Sequence, residues 1–478
     1  MNKTRMRTTP RQKTMGTPVQ AKASMSLTEL ILVGVGGIVG AGFFLGCGAP
    51  IQSAGPSVLI SFVIGALITA QVIGALNTVA LDHPVEGAFK VYADMYLGRY
   101  VGYMQGWLYY LTSILTISSE AVASAIFVRV WLPSWPLWLL SSSFAALILL
   151  INAFGVRNFG LIESFMSVVK IAALVGFIVF VAIILFGWHA QTAVTGTHAA
   201  TSGSGFFPHG AGGVFRSMLI VIFAYAGIGV FGTAAVELRH PKQLDVGGIW
   251  TVTILGLMYI LSIGGILLVQ PWRSVSTNVS PFVQALQHLH LTILADVFNA
   301  VILIASFSVM AGAVFSANQI LSSLSHSGEA PSFTTRTLGK RQVQYGALIF
   351  TAIGLAIFIG LSYLLPSSVY NFLISASSFF TFFNWFIILM TFVSWRHRNE
   401  SPGKNAHKHI SRLTFGQPIS TFITMAAIVF LAGYALTERD QRLGFYACLA
   451  ISAILSIGYF FTHKYKSARV TDGYKRME

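Results

Sequence analysis

Apolar residues in this chain come in long blocks separated by short polar or basic segments. A bilayer core about 30 Å thick takes about 20 apolar residues at 1.5 Å rise each. Blocks of that size fall near 27–52, 57–80, 101–130, 137–154, 161–187, 214–238, 247–270, 292–324, 344–363, 367–394, 418–437 and 443–463. The pattern predicts an all-α polytopic membrane protein with twelve transmembrane helices. Two blocks are interrupted. The first carries seven glycines, at 34, 36, 37, 40, 42, 46 and 48, although glycine costs about 1 kcal/mol relative to alanine inside a helix. Unwound backbone in a membrane is tolerated only where it is buried in protein or lines a cavity. A broken helix there offers free N–H groups to a carboxylate and free C=O groups to an ammonium or cation. Those are the two ends of an amino acid. The same glycines also suit close packing of helices through small residues.

Five blocks later, the segment 223–241 has glycines at 227, 229 and 232. Two interrupted spans at corresponding places predict an inverted repeat, spans 1 to 5 against 6 to 10, with the cavity between them. An odd number of spans per unit forces opposite orientations. The expected organisation is a disordered tail over 1–25, five-helix units over 26–190 and 214–395, helices 11 and 12 over 396–464, and a tail over 465–478. Helices 11 and 12 are left for oligomer contact or lipid packing.

Polar residues inside the spans add candidate chemistry. Span 3 carries Tyr109, Ser113, Thr116, Glu120 and Ser124 at helical spacing. Glu120 falls near mid-membrane, where a carboxyl group is protonated, paired or wetted. Span 5 places Glu163, Ser167, Lys170 and Leu174 on one face, and a lysine at the centre of a span costs about 2.5 to 3.5 kcal/mol on insertion scales. Lys170 and Glu120 are candidates for proton coupling, Lys170 also as an ammonium in the place of a bound cation. The alternative is a static ion pair, for example between the two. The Ser and Asn residues of spans 8 and 10 suit interhelical hydrogen bonds worth about 0.6 kcal/mol each. Between spans 2 and 3, Asp82, Glu86, Asp94 and Arg99 form either a gate or latch or a solvated surface.

Composition agrees with the pattern: 55% of the 478 residues are hydrophobic and 9% charged, which fits no soluble class. The net charge of +15 would suit nucleic acid, but its placement argues against that partner. With both termini cytoplasmic, 24 of the 30 Lys and Arg lie in inner segments and five (Arg129, Arg216, Arg273, Arg439, Arg442) in outer ones, a positive-inside distribution. The basic tail lacks the apolar core and cleavage site of a signal peptide. Cys47 and Cys448 make no disulfide framework. His189, His198 and His209 are scattered through a polar outer loop. His288 with His290 and His407 with His409 lack helical metal spacing. No metal, cofactor or enzymatic nucleophile is expected.

Gly-Gly-Ile-Val-Gly-Ala-Gly-Phe-Phe-Leu-Gly at 36–46, followed by Ala54-Gly55-Pro56, resembles the first-helix signature of amino acid permeases of the amino acid-polyamine-organocation (APC) superfamily. Phe223-Ala-Tyr-Ala-Gly227, with Ala-Ala-Val-Glu237 and His240-Pro241, is similar to their sixth-helix motif. Glu163 followed by Val169-Lys170-Ile171, Gln270-Pro271-Trp272, Ser280-Pro281-Phe282-Val283 and Ser325-His-Ser-Gly328-Glu-Ala-Pro331 fall in the family's order, so the resemblance covers about residues 26–465. It implies a LeuT-like 5+5 inverted repeat with discontinuous helices 1 and 6. The substrate carboxylate would lie on amides of Gly40, Ala41 and Gly42, and its ammonium on carbonyls near Phe223 and Ala224. Ile38, Thr116, Ala226, Gly227 and Gly229 complete the implied binding set. Phe223 matches an aromatic lid, Glu237 a gate at the inner end of span 6, and Lys170 a lysine in the place where sodium-coupled cousins hold a cation. Two departures are Ala41, where many relatives have Thr, and Gly229, where many have an acid. Loss of that acid leaves room beside the site and favours a neutral, apolar substrate.

The resulting expectation is a permease of the cytoplasmic membrane that imports a branched-chain or aromatic amino acid by proton-coupled symport. Its partners are the amino acid, the proton and the bilayer. The alternatives are an amino acid or amine exchanger and, from another class, an amino acid sensor without net transport. The short tails hold no signalling domain.

Overall fold

The computed structural model describes residues 25–85, 87–154, 159–186, 205–229, 231–232, 237–337, 344–364, 368–399 and 410–475. The expected disorder of residues 1–24, and the readings of Glu86, His189, His198, His407 and His409, lie outside them. The described chain is helical, and its β pairing is one isolated bridge between Met25 and Leu238.

The first apolar block opens with a capping box: Glu29 N donates to Ser26 Oγ at 3.2 Å, and Ser26 N to the Glu29 carboxylate at 2.7 Å. Helix α1 (Leu27–Ile38) then stops mid-block, because Val39 and Gly40 are extended. The helix resumes as α2 (Ala41–Phe44) and α3 (Gly48–Ala54), and Gly55, at φ +61°, turns the chain into α4 (Val58–Asp82). The sixth block breaks likewise: α9 (Gly210–Ala224) ends at Tyr225, and Gly227 has φ +111°. Between them run α5 (Ala88–Leu97), α6 (Arg99–Val128), α7 (Leu137–Ala153) and α8 (Phe159–Phe186). After the second break come α10 (Gln243–Val269), α11 (Pro281–His288), α12 (Thr292–His326), α13 (Tyr345–Leu364), α14 (Val369–Asn399), α15 (Ile419–Ala435) and α16 (Arg439–Lys475).

Among the described residues, eight stretches are long and apolar enough to cross a membrane, and Leu27–Ile38, Leu137–Ala153, Gly210–Ala224 and Ile419–Ala435 are shorter apolar helices. Helix α16 runs on to Lys475, past the expected end of the last span. At the core, α6 packs on α12 and α14, and α1 lies among α8, α10 and α12. The broken segment is among the most buried in the molecule: Val39, Ala41, Phe43 and Phe44 are all fully buried.

The 83–99 connection is folded. Lys90, on α5, is 1% exposed and meets Glu329 Oε2 at 3.0 Å and Ser327 Oγ at 2.8 Å. Arg99 reaches the other oxygen of Glu329 at 3.4 Å, and Trp107 Nε1 donates to the Glu329 carbonyl at 3.3 Å. The connection is thus latched to the turn after α12, while Asp94 and Arg99 stay partly solvated.

Candidate functional site

Both ends of the break in the first block are held by charged side chains. At the amide end, Glu120 of α6 accepts from Ala41 N at 3.0 Å and Gly42 N at 3.4 Å. A carboxylate on the free N–H groups of a helix start satisfies orphan donors and meets the positive end of the helix dipole. At the carbonyl end, Lys170 Nζ donates to the Gly36 carbonyl and, at 2.7 Å, to Ser308 Oγ. Ser308 Oγ in turn donates to Glu163 Oε1 at 2.6 Å, and Lys170 Nζ lies 3.9 Å from that oxygen. Lys170, Glu163 and Glu120 are at most 2% exposed. The ion-pair partner of Lys170 is therefore Glu163, on its own helix, while Glu120 is engaged by backbone.

Glycine makes these approaches possible. A Cβ on Gly36 would lie 1.7 Å from Ser167 Oγ, so α1 and α8 touch backbone to side chain there. A Cβ on Gly40 would lie 2.7 Å from Glu120 Oε1 and from Val309 Cγ2. Any side chain at 40 would push Glu120 off the amides.

Tyrosines hold the carbonyls next to each break. Tyr370 Oη donates to the Ala41 carbonyl at 3.0 Å, and Tyr259 Oη to the Ala224 carbonyl at 2.9 Å. The Phe223 carbonyl accepts from Ala226 N at 3.0 Å. On one side of the break the space is filled by aromatic rings. Phe43 stacks on Tyr259 at 3.8 Å between centroids, and Phe44 meets Phe282 at 5.4 Å and Phe298 at 6.0 Å. On the other side a cavity of about 370 Å³ extends to Met25 and Glu237, within the size range of small-molecule sites.

Of the residues expected at the site, Ile38, Gly42, Thr116, Glu120, Phe223, Ala226, Gly227 and Glu237 line the cavity. Phe223 lies against Gly42, its ring 2.7 Å from where a Cβ would sit. Gly40, Ala41 and Ala224 contribute backbone behind that surface, and Lys170 sits behind it on the Gly36 carbonyl. Glu237 accepts a backbone bond from Met25 N at 3.1 Å, which ties the start of α1 to the segment after the second break. Gly229 differs from expectation. The room left by the missing acid is occupied: a Cβ there would lie 1.8 Å from Tyr109 Oη. Tyr109 lines the cavity and stacks on Phe89 of α5 at 4.6 Å.

Sequence reasoning passed over Tyr259, Tyr370, Val309 and Gly312. The first two act through a terminal hydroxyl on backbone 35 and 329 positions away, which no local pattern encodes. Gly312, mid-span in α12, carried a signal: an interior glycine with no turn beside it.

The amino acid permease family model matches residues 29–471. The chain is 31% identical over 438 residues to an uncharacterized transporter, YcgH, of Bacillus subtilis, covering 92% of this chain and 94% of the relative. It is 30% identical to an uncharacterized amino acid permease, YtnA, of the same organism, covering 87% and 89%. It is 27% identical to the aromatic amino acid transport protein AroP of Escherichia coli K12, covering 93% and 96%. Two glycine-broken apolar segments beside one cavity, in a chain that the family model matches over residues 29–471 and a relative over 92% of its length, make this protein a member of the amino acid permease family.

Proposed function

We propose that the protein is a secondary active transporter that carries a neutral, apolar amino acid, branched-chain or aromatic, together with a proton. It works by alternating access around the two broken spans. In this reading the chain crosses a cytoplasmic membrane twelve times with both termini inside, as a LeuT-like pair of inverted five-helix repeats. The eight long and four shorter apolar helices and the charge distribution support that topology. The Met25 end of the cavity is then cytoplasmic, and the aromatic packing around Phe43 and Phe44 closes the outer side.

One observation carries the proposal: the carboxylate of Glu120 sits on the amides of Ala41 and Gly42, the donors that a substrate carboxylate would use. The protein's own side chain stands in for the substrate. An arriving carboxylate displaces Glu120, and two carboxylates side by side in a water-poor site repel strongly. Glu120 therefore takes a proton as it leaves, which couples one proton to one substrate. Lys170 on the Gly36 carbonyl fills the place of a metal cation and favours protons over sodium. The 27% identity to AroP, named for aromatic amino acid transport, supports the aromatic half of the substrate class.

A second reading has its own observation. The charged residues lining the cavity are Glu120, Glu163 and Glu237, with no Lys or Arg among the described residues there. That lining suits the ammonium of an amine without a carboxylate, moved by exchange. Uptake of labelled amino acids and amines into proteoliposomes, with and without an inward proton gradient, separates the two. Concentrative uptake of a neutral amino acid that collapses with a protonophore supports symport. Movement of amines only, and only against internal substrate, supports the exchanger.

A further inference from the structure

Four glycines line the cavity: Gly37, Gly42, Gly227 and Gly312. Gly42 lies against the Phe223 ring, and Gly227 has a positive φ and packs on the carbonyl of Gly37, so local packing accounts for these two. A Cβ on Gly37 would also meet nothing within 4 Å, but Gly37 is the next-to-last residue of α1, at the break itself. Gly312 is different. It lies inside α12, a helix of 35 residues, where glycine is the poorest former after proline. A Cβ built on it would meet nothing within 4 Å. It makes no turn and admits no neighbouring backbone. What it contributes is open space on the cavity side.

That space has a definite place. Val309, Gly312, Ala313 and Ser316 all line the cavity and share one helical face. Val309 touches the break, since its Cγ2 lies 2.7 Å from the Cβ position of Gly40. Gly312 is one turn further along, about 4.5 Å, towards Met25. From α6, Thr116 lies one turn below Glu120 and also lines the cavity. A carboxylate on Ala41 and Gly42 would direct a side chain into this interval.

We infer that Gly312 determines substrate size, and that the room beside it holds an aromatic ring packed against Ile38, Thr116 and Ala313. This deepens the transport reading and rests on it. A branched-chain side chain would leave part of the room empty and forfeit its dispersion contacts. A ring fills it.

The test compares wild type with Gly312→Ala and Gly312→Leu in proteoliposomes, each measured for inhibition of labelled phenylalanine and labelled valine uptake by unlabelled phenylalanine, tryptophan, valine and alanine. Alanine is the better helix former, so the first variant tests size without weakening the helix. The expected result is a fall of about tenfold or more in apparent affinity for phenylalanine and tryptophan in Gly312→Leu, in the range set by one or a few misfitting carbons. Gly312→Ala falls in the same direction by less, while valine and alanine hold within about twofold, inside ordinary hydrophobic-pocket discrimination. A phenylalanine-to-valine ratio unchanged in both variants, or an equal loss for all four ligands, overturns the assignment. A wild type that prefers valine overturns it as well. If the wild type takes up no amino acid, the transport reading fails first and this inference with it. Uptake by the wild type with an unchanged ratio removes the Gly312 assignment alone.

Discussion

Glu120 and Ala41 are 79 positions apart, and the carboxylate of one accepts the backbone amide of the other at 3.0 Å. The acid inside span 3 and the glycine-broken helix are thus in direct contact. Glu120→Gln keeps the shape and removes the charge. With no carboxyl group at 120 to take the proton as the substrate arrives, proton-driven accumulation is expected to be lost. Substrate-for-substrate exchange, which needs no net proton movement, is retained. Parallel uptake and counterflow assays read the two separately.

Lys170→Met removes the cation that joins the Gly36 carbonyl, Ser308 and Glu163. It leaves a buried carboxylate without its partner, which costs about 3 to 5 kcal/mol. The unfolding midpoint in detergent should fall clearly. Adding Glu163→Gln should restore part of the loss. An unchanged midpoint in the single variant would make this cluster dispensable for the fold.

The helical blocks and both interruptions were legible in the sequence because glycine density and apolar length are local properties. Glu120 and Lys170 were legible because a charge within an apolar span demands a partner. Their partners were not. The sequence left open a pair between Glu120 and Lys170, and the structure instead gives each a helix end, with Glu163 beside Lys170. Gly229 misled for the same reason: the residue that fills its space, Tyr109, comes from another helix. Lys90, unremarkable in a polar connection, became a buried latch only once α5 met the turn at Glu329.

Gly36→Ala should destabilise, in contrast to Gly312→Ala. Its Cβ would meet Ser167 Oγ at 1.7 Å and Ser167 Cβ at 2.8 Å, so α1 and α8 must separate. Overpacking of this kind costs about 1 to 3 kcal/mol. Ser167→Gly in the same chain should recover most of it, as read by the unfolding midpoint.

Lys90→Glu and Glu329→Lys should each weaken the fold, because each leaves two like charges facing across a buried contact of 3.0 Å. Combined, they restore opposite charges, and a double-mutant cycle should give a coupling of about 0.5 to 3 kcal/mol. Additive effects would reduce the latch to a packing contact.

In the proposed cycle Glu120 keeps the substrate's place and yields it in exchange for a proton. The most direct measurement is concentrative uptake of labelled phenylalanine into proteoliposomes under an inward proton gradient, wild type against Glu120→Gln. The expected result is accumulation above equilibrium in the wild type, its collapse with a protonophore, and equilibration without accumulation in Glu120→Gln. Accumulation by Glu120→Gln to the wild-type level would contradict it.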